Sequence, residues 1–141
     1  MTKLQGSKFV TSPPPHGMGL EFQLEGEIVH TQFTFPAQFE GPPTLTHGGI
    51  LATVMDEAMG AAAWNSGHQV IAVHLGFGYK APIPLGQPVT IRGWVERVDG
   101  RKVFTASEIR LADGTMACYG EGVFVIAPQF FDAPAFTPKA D

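Results

Sequence analysis

A single helix among strands constrains this chain more than any other feature of its sequence. Residues 48–64 form the only long stretch with helical periodicity, and nearly every side of it is apolar or small. A helix without a polar face has to be surrounded, and here only strands are available to do it. Six strand patterns flank it, at 20–25, 28–35, 70–79, 89–97, 102–111 and 115–126. Asp99-Gly100 and Asp113-Gly114 are tight-turn dipeptides that join the last three as hairpins. Between the second strand and the helix, Gly41-Pro42-Pro43 can continue neither regular structure and reads as an ordered loop. Gly67 is placed to end the helix in a left-handed cap. The sum is strand, strand, helix and a four-strand meander: an α+β domain with one helix against an antiparallel sheet.

The 141 residues suit one domain over 18–127, with a flexible proline-containing arm at 1–17. A Pro-rich tail at 128–141 packs through Phe130 and Phe131 or trails off. A net charge of −4 with no basic run argues against nucleic acid as a partner. One cysteine, Cys118, cannot form an internal disulfide framework and fits a reducing compartment. The first residues lack the apolar core of a signal peptide, and no apolar run approaches the ~18 residues of a membrane span. A soluble, cytoplasmic protein is expected. Five histidines without ligand spacing and one cysteine offer no metal site. The absence of G-x-S-x-G argues against a serine hydrolase.

Two carboxylates, Asp56 and Glu57, interrupt the apolar helix THGGILATVMDEAMG. Projected at about 100° per residue, Asp56 shares a face with Gly49, Ala52, Gly60 and Ala63, with Thr53 and Met59 at its margins. Bulky Ile50, Leu51 and Val54 point the other way. A carboxylate in an apolar cleft has its charged form destabilised, which makes it a better base or nucleophile. Glu57, offset from this stripe, reads as a rim or salt-bridge group. At the front of the helix, His47-Gly48-Gly49 brings unpaired backbone N–H groups and the positive end of the helix dipole to an open spot, the makings of an oxyanion site. Gly48 and Asp56 are eight residues apart, or about 12 Å at 1.5 Å per residue. A reacting carbonyl must lie within roughly 3 Å of both donor and base. If both groups are catalytic they come from different chains, which predicts an obligate two-fold dimer with two sites.

The H-G-G-x6-D pattern in TLTHGGILATVMDEAMG, with GYKAPIPLG and DGRKVFTASEIRLADGTMACYGEGVFV, resembles the PaaI-like acyl-CoA thioesterases of the hotdog fold over about residues 18–127. The resemblance implies a five- or six-stranded antiparallel sheet wrapped around the helix, dimers joined through a continuous sheet, and often dimers of dimers. It implies hydrolysis of acyl-CoA to free acid and CoA, with no cofactor, since CoA is part of the substrate. Residue by residue, Asp56 matches the catalytic carboxylate from the opposite subunit, Gly48 the N–H that polarises the thioester carbonyl, and His47 the histidine that orders the loop. Many relatives carry Thr or Ser at the place of Ala72; His74, two residues on, is the candidate substitute. They also often carry Asn or Gln before His-Gly-Gly, where this chain has Gln38 and Glu40. Gly49 and Met59 are further candidates for the substrate pocket, with Met55, Trp64 and the phenylalanines lining an apolar acyl site. Lys80, Arg97, Arg101 and Lys102 are candidates for the CoA phosphates. Two other readings stand beside hydrolysis: a non-catalytic acyl-CoA-binding module, and a hotdog hydratase or dehydratase.

Overall fold

The helix forms where its sequence places it, over Gly48–Asn65, and strands surround its buried side. A computed structural model describes residues 2–4 and 6–132. In chain order the elements are β1 (Thr2–Lys3), α1 (Lys8–Thr11), β2 (Gln23–Glu25), β3 (Ile28–Thr34), a 3-10 turn (Ala37–Phe39), α2 (Gly48–Asn65), β4 (Val70–Tyr79), β5 (Pro88–Asp99), β6 (Lys102–Leu111), β7 (Met116–Ile126) and α3 (Gln129–Asp132). Gly67 adopts φ +100° just past α2, the left-handed residue expected there.

The strands form one antiparallel sheet in the order β1-β2-β3-β5-β6-β7-β4. The expected five or six strands are present, and Thr2–Lys3 of the arm adds a short seventh on β2. The four-strand meander needs correcting. Only β5, β6 and β7 are joined by tight turns; β4 pairs with β7, not with β5. The link from β4 to β5, with Pro82, Pro84 and Gly86, is too long for a hairpin and lets the chain cross the end of the sheet. As a result β4, ten residues long, is an edge strand with Ile71 and Val73 exposed.

A second correction concerns the faces of β4. Ala72 pairs with Phe124 and His74 with Val123, so Val73 is an extra residue in a β-bulge. Simple alternation would put Ala72 and His74 on one face. The bulge reverses it: Ala72, Leu75 and Phe77 share the helix side, and His74 turns to the outer side.

Leu51, Val54, Met55, Ala58, Met59, Ala62 and Ala63 of α2 are buried against the sheet. The helix lies so close to β5 that a Cβ on Gly93 would stand 2.6 Å from the Ala58 carbonyl carbon. The arm, expected to be flexible, packs instead. Val10, Met18 and Leu20 are buried, and Leu4 N–H donates to Phe22 O while Leu20 N–H donates to Val10 O. The pattern at 20–22 therefore serves the arm, and regular strand pairing begins only at Gln23. In the tail, Phe131 packs edge-on against Trp64; residues 133–141 lie outside the described residues. No helix among the described residues is long and apolar enough to cross a membrane.

Candidate active site

The start of α2 is built to hold one backbone N–H open. His47 caps the helix, its Nδ1 accepting from Gly49 N–H at 2.9 Å, so in the neutral ring the proton sits on Nε2. Ile50 and Leu51 N–H donate to His47 O. Among the described residues nothing accepts from Gly48 N–H, while Gly48 O accepts from Tyr79 Oη at 2.8 Å. Burial, with a smaller contribution from Cys118, holds the Tyr79 phenol above its usual range, which keeps it a donor. The preceding loop is fixed too. His47 N–H donates to Phe39 O, Glu40 Oε2 accepts from Thr44 N–H at 2.8 Å, and a Cβ at Gly41 would meet His47 Cα at 2.8 Å. Glu40 thus braces the loop, and Gln38 is exposed.

Asp56 lies about 12 Å further along the same helix, at two turns' remove. It borders a cavity of about 560 Å³ whose walls come from α2 (Glu57, Gly60, Ala61, Trp64), the sheet (Ala72, Phe124), the arm (Gly6, Ser7) and Phe131. The carboxyl is half-buried and has no hydrogen-bond partner among the described residues. Burial pushes its pKa above the ordinary 3.8, and the neighbouring Glu57 charge pushes the same way. Glu57 is tied down at the rim, accepting from Ser7 N–H at 2.7 Å.

Gly48, Gly49 and His47 stand together at the helix start, and Asp56 and Ala72 line the same cavity. Other candidates fall elsewhere. Because of the bulge, His74 cannot stand in for a hydroxyl at Ala72; it lines a groove of about 660 Å³ on the outer face with Arg97 and Glu121. Met59 is fully buried with Val70, Val103 and Phe124, and belongs to the core. Ala63 likewise turns inward, away from the Asp56 stripe. The four cations divide between the two ends of the sheet. Lys80 follows Tyr79 at the end near the helix start, 5.5 Å from the Tyr119 ring centroid. Arg101 and Lys102 sit at the β5–β6 turn, beside the Val70 end of β4. Arg97 is engaged, 3.7 Å over the Phe104 ring and 3.9 Å from Asp99. Sequence reasoning missed Tyr79 as the residue covering the helix tip, and Gly6 and Ser7 as cavity walls. The inward position of Tyr79 on its strand was the one available signal.

The model of the thioesterase superfamily matches residues 44–118, from the loop before the helix to Cys118. Acyl-coenzyme A thioesterase THEM4 of Xenopus laevis is 48% identical over 77 residues, 55% of this chain and 35% of that protein. The chain thus spans about a third of the length of this curated relative. A crystal structure of a thioesterase superfamily protein is 34% identical, with a TM-score of 0.75 over 78% of this chain and 57% of its own. The PaaI protein of the E. coli phenylacetic acid degradation operon shares the fold, with a TM-score of 0.72 at 18% identity over 77% of this chain and 80% of its own. With the family model matched over more than half its residues and the sheet wrapped around one helix, the chain belongs to the thioesterase superfamily and carries the hotdog fold.

Proposed function

We propose that the protein hydrolyses an acyl-CoA thioester to free acid and CoA, at a site shared by two protomers. The observation that carries this reading is the separation of two groups on one helix. An unsatisfied N–H stands at its start and a half-buried, unpartnered carboxyl about 12 Å beyond it. Each is half of an acyl-transfer site, and one chain cannot bring its own halves together. The long exposed edge of β4 supports pairing with a second copy, because such an edge is otherwise an open template for strand addition. In an antiparallel pairing across a two-fold axis, the Val70 end of one β4 meets the Tyr79 end of the other. This carries Arg101 and Lys102 of one protomer toward the helix start of its neighbour, where CoA phosphates need cations. The name of the THEM4 relative supports the substrate class.

The thioester carbonyl oxygen accepts from Gly48 N–H, where the helix dipole favours the developing negative charge. Asp56 of the second protomer takes a proton from water as that water forms its bond to the carbonyl carbon; the C–S bond then breaks and its electron pair leaves with CoA thiolate. The same placement serves direct attack by Asp56, giving an anhydride that water cleaves. Ala72, with no hydroxyl to hold water beside Asp56, favours a second reading, an acyl-CoA-binding module without turnover.

Free-thiol release from a panel of aryl, medium-chain and long-chain acyl-CoAs separates the two. Multiple turnovers are expected on at least one apolar acyl group. Binding across the panel with no thiol released would assign the protein to the second reading.

A further inference from the structure

The N-terminal arm reaches the Asp56 cavity at Gly6 and Ser7, and the contact there is close. A Cβ on Gly6 would lie 2.6 Å from Thr11 Cγ2 and 2.8 Å from Glu57 Oε2, so a side chain there would have to push the Thr11 methyl and the Glu57 carboxylate aside. The next residue, Ser7, donates its backbone N–H to that same oxygen at 2.7 Å and caps α1. The rest of α1 is anchored by Val10, which is fully buried. Opposite them stand Trp64 and Phe131, edge to face at 4.8 Å. The cavity is thus bordered by an aromatic pair and by a strip of arm backbone that the Glu57 carboxylate ties to α2.

We propose that Glu57 is a positioning residue: by holding Ser7 N–H it fixes the arm as a wall of the cavity beside Asp56, and this wall sets which acyl groups the site accepts. The proposal rests on the proposed hydrolysis at Asp56 and takes the largely apolar cavity beside it as the place of the acyl group. It separates the two adjacent acids by role: Asp56 meets the reacting carbonyl, and Glu57, on the cavity rim, holds the arm that shapes the space around the acyl chain. A latch of this kind acts on discrimination between substrates, through lost contacts and admitted water, more than on the bond-breaking step.

Three variants distinguish the latch from the charge of Glu57. Glu57→Ala removes both. Glu57→Gln removes the charge and keeps a carbonyl acceptor for Ser7. Ser7→Pro keeps the charge and removes the donor; Ser7 already has φ −62°, which suits proline. Two quantities are read on the full chain: amide hydrogen exchange over residues 6–11, and the ratio of kcat/KM between the best acyl-CoA and one several carbons longer. Glu57→Ala and Ser7→Pro are expected to speed exchange and lower the ratio by about tenfold, mainly through KM. Glu57→Gln is expected to stay within about twofold of wild type, its hydrogen bond intact. Equal loss in Glu57→Ala and Glu57→Gln with none in Ser7→Pro would overturn the latch in favour of charge. Faster exchange with an unchanged ratio would overturn the selectivity role. A wild type that turns over no acyl-CoA sinks the reading of the site and this proposal with it, whereas turnover at an unchanged ratio sinks the proposal alone.

Discussion

Asp56→Asn is expected to lower kcat by about 10²- to 10⁴-fold, the usual worth of a positioned base, while the protein stays folded and associated. The same variant is expected to melt higher than wild type at neutral pH. Burial, reinforced by Glu57, holds the Asp56 pKa above 3.8 in the folded chain, so ionising it opposes folding. The sign follows from proton counts. As pH rises past 3.8 the unfolded chain releases this proton first, the folded chain binds more, and stability falls until the folded pKa is passed. Below 3.8 both states are protonated and the cost vanishes. Asparagine carries no charge at any pH, so its advantage should be present at pH 7 and fade in acid. In the wild type, the acid limb of kcat/KM should accordingly lie above the ordinary carboxylate range. Activity lost together with stability gained marks a group kept for chemistry, and thermal scans at pH 3 and pH 7 beside the thiol assay read both halves.

Gly93→Ala should produce a large loss of stability from a single methyl group. The added Cβ would stand 2.6 Å from the carbonyl carbon of Ala58, 2.7 Å from its oxygen and 2.8 Å from its Cβ. These are backbone atoms and a short side chain, not a flexible tip that can swing aside. Ala58 is fully buried, so the added methyl can be accommodated only by moving helix or strand backbone. The expected cost is about 3 kcal/mol, the upper end of ordinary overpacking, or roughly 10 °C in Tm for a domain of this size. Function should suffer as well. Ala58 is two residues from Asp56, and a 1 Å displacement of a catalytic group costs about 100-fold. Circular-dichroism melting, with activity assayed well below the new Tm, checks both; an unchanged Tm would contradict the close packing of α2 on β5.

Local chemistry made the central helix legible. A stretch apolar on nearly all sides, opened by His47 and closed by Gly67, could be placed to within a residue, because caps and periodicity are properties of neighbouring residues. The Asp-Gly turns located the β5–β6 and β6–β7 hairpins for the same reason. The errors were of another kind. Pairing of β4 with β7 is decided by how the chain crosses the sheet, and no local pattern records it. The bulge at Val73 inserts one residue without any Gly or Pro to announce it, and that residue moved His74 to the wrong side of the sheet. Met59 looked available to a ligand because helical projection gives a direction but not the neighbour waiting there; Val103 and Phe124 fill that space. The arm read as loose because its prolines and polar residues obscured the buried Val10.

The division of the site between two chains is tested most directly by mixing two disabled forms. Asp56→Asn removes the carboxylate. Gly48→Pro removes the N–H at the first helical position, where proline is tolerated, and His47 at φ −62°, ψ 131° already has the conformation favoured before proline. Each variant alone should be nearly inactive. Unfolded together in equal amounts and refolded, they should recover about one quarter of wild-type activity, because half the dimers pair one of each chain and then hold one intact site of two. No recovery, with mixed dimers demonstrated in the sample, would mean that Gly48 and Asp56 do not act across the two chains.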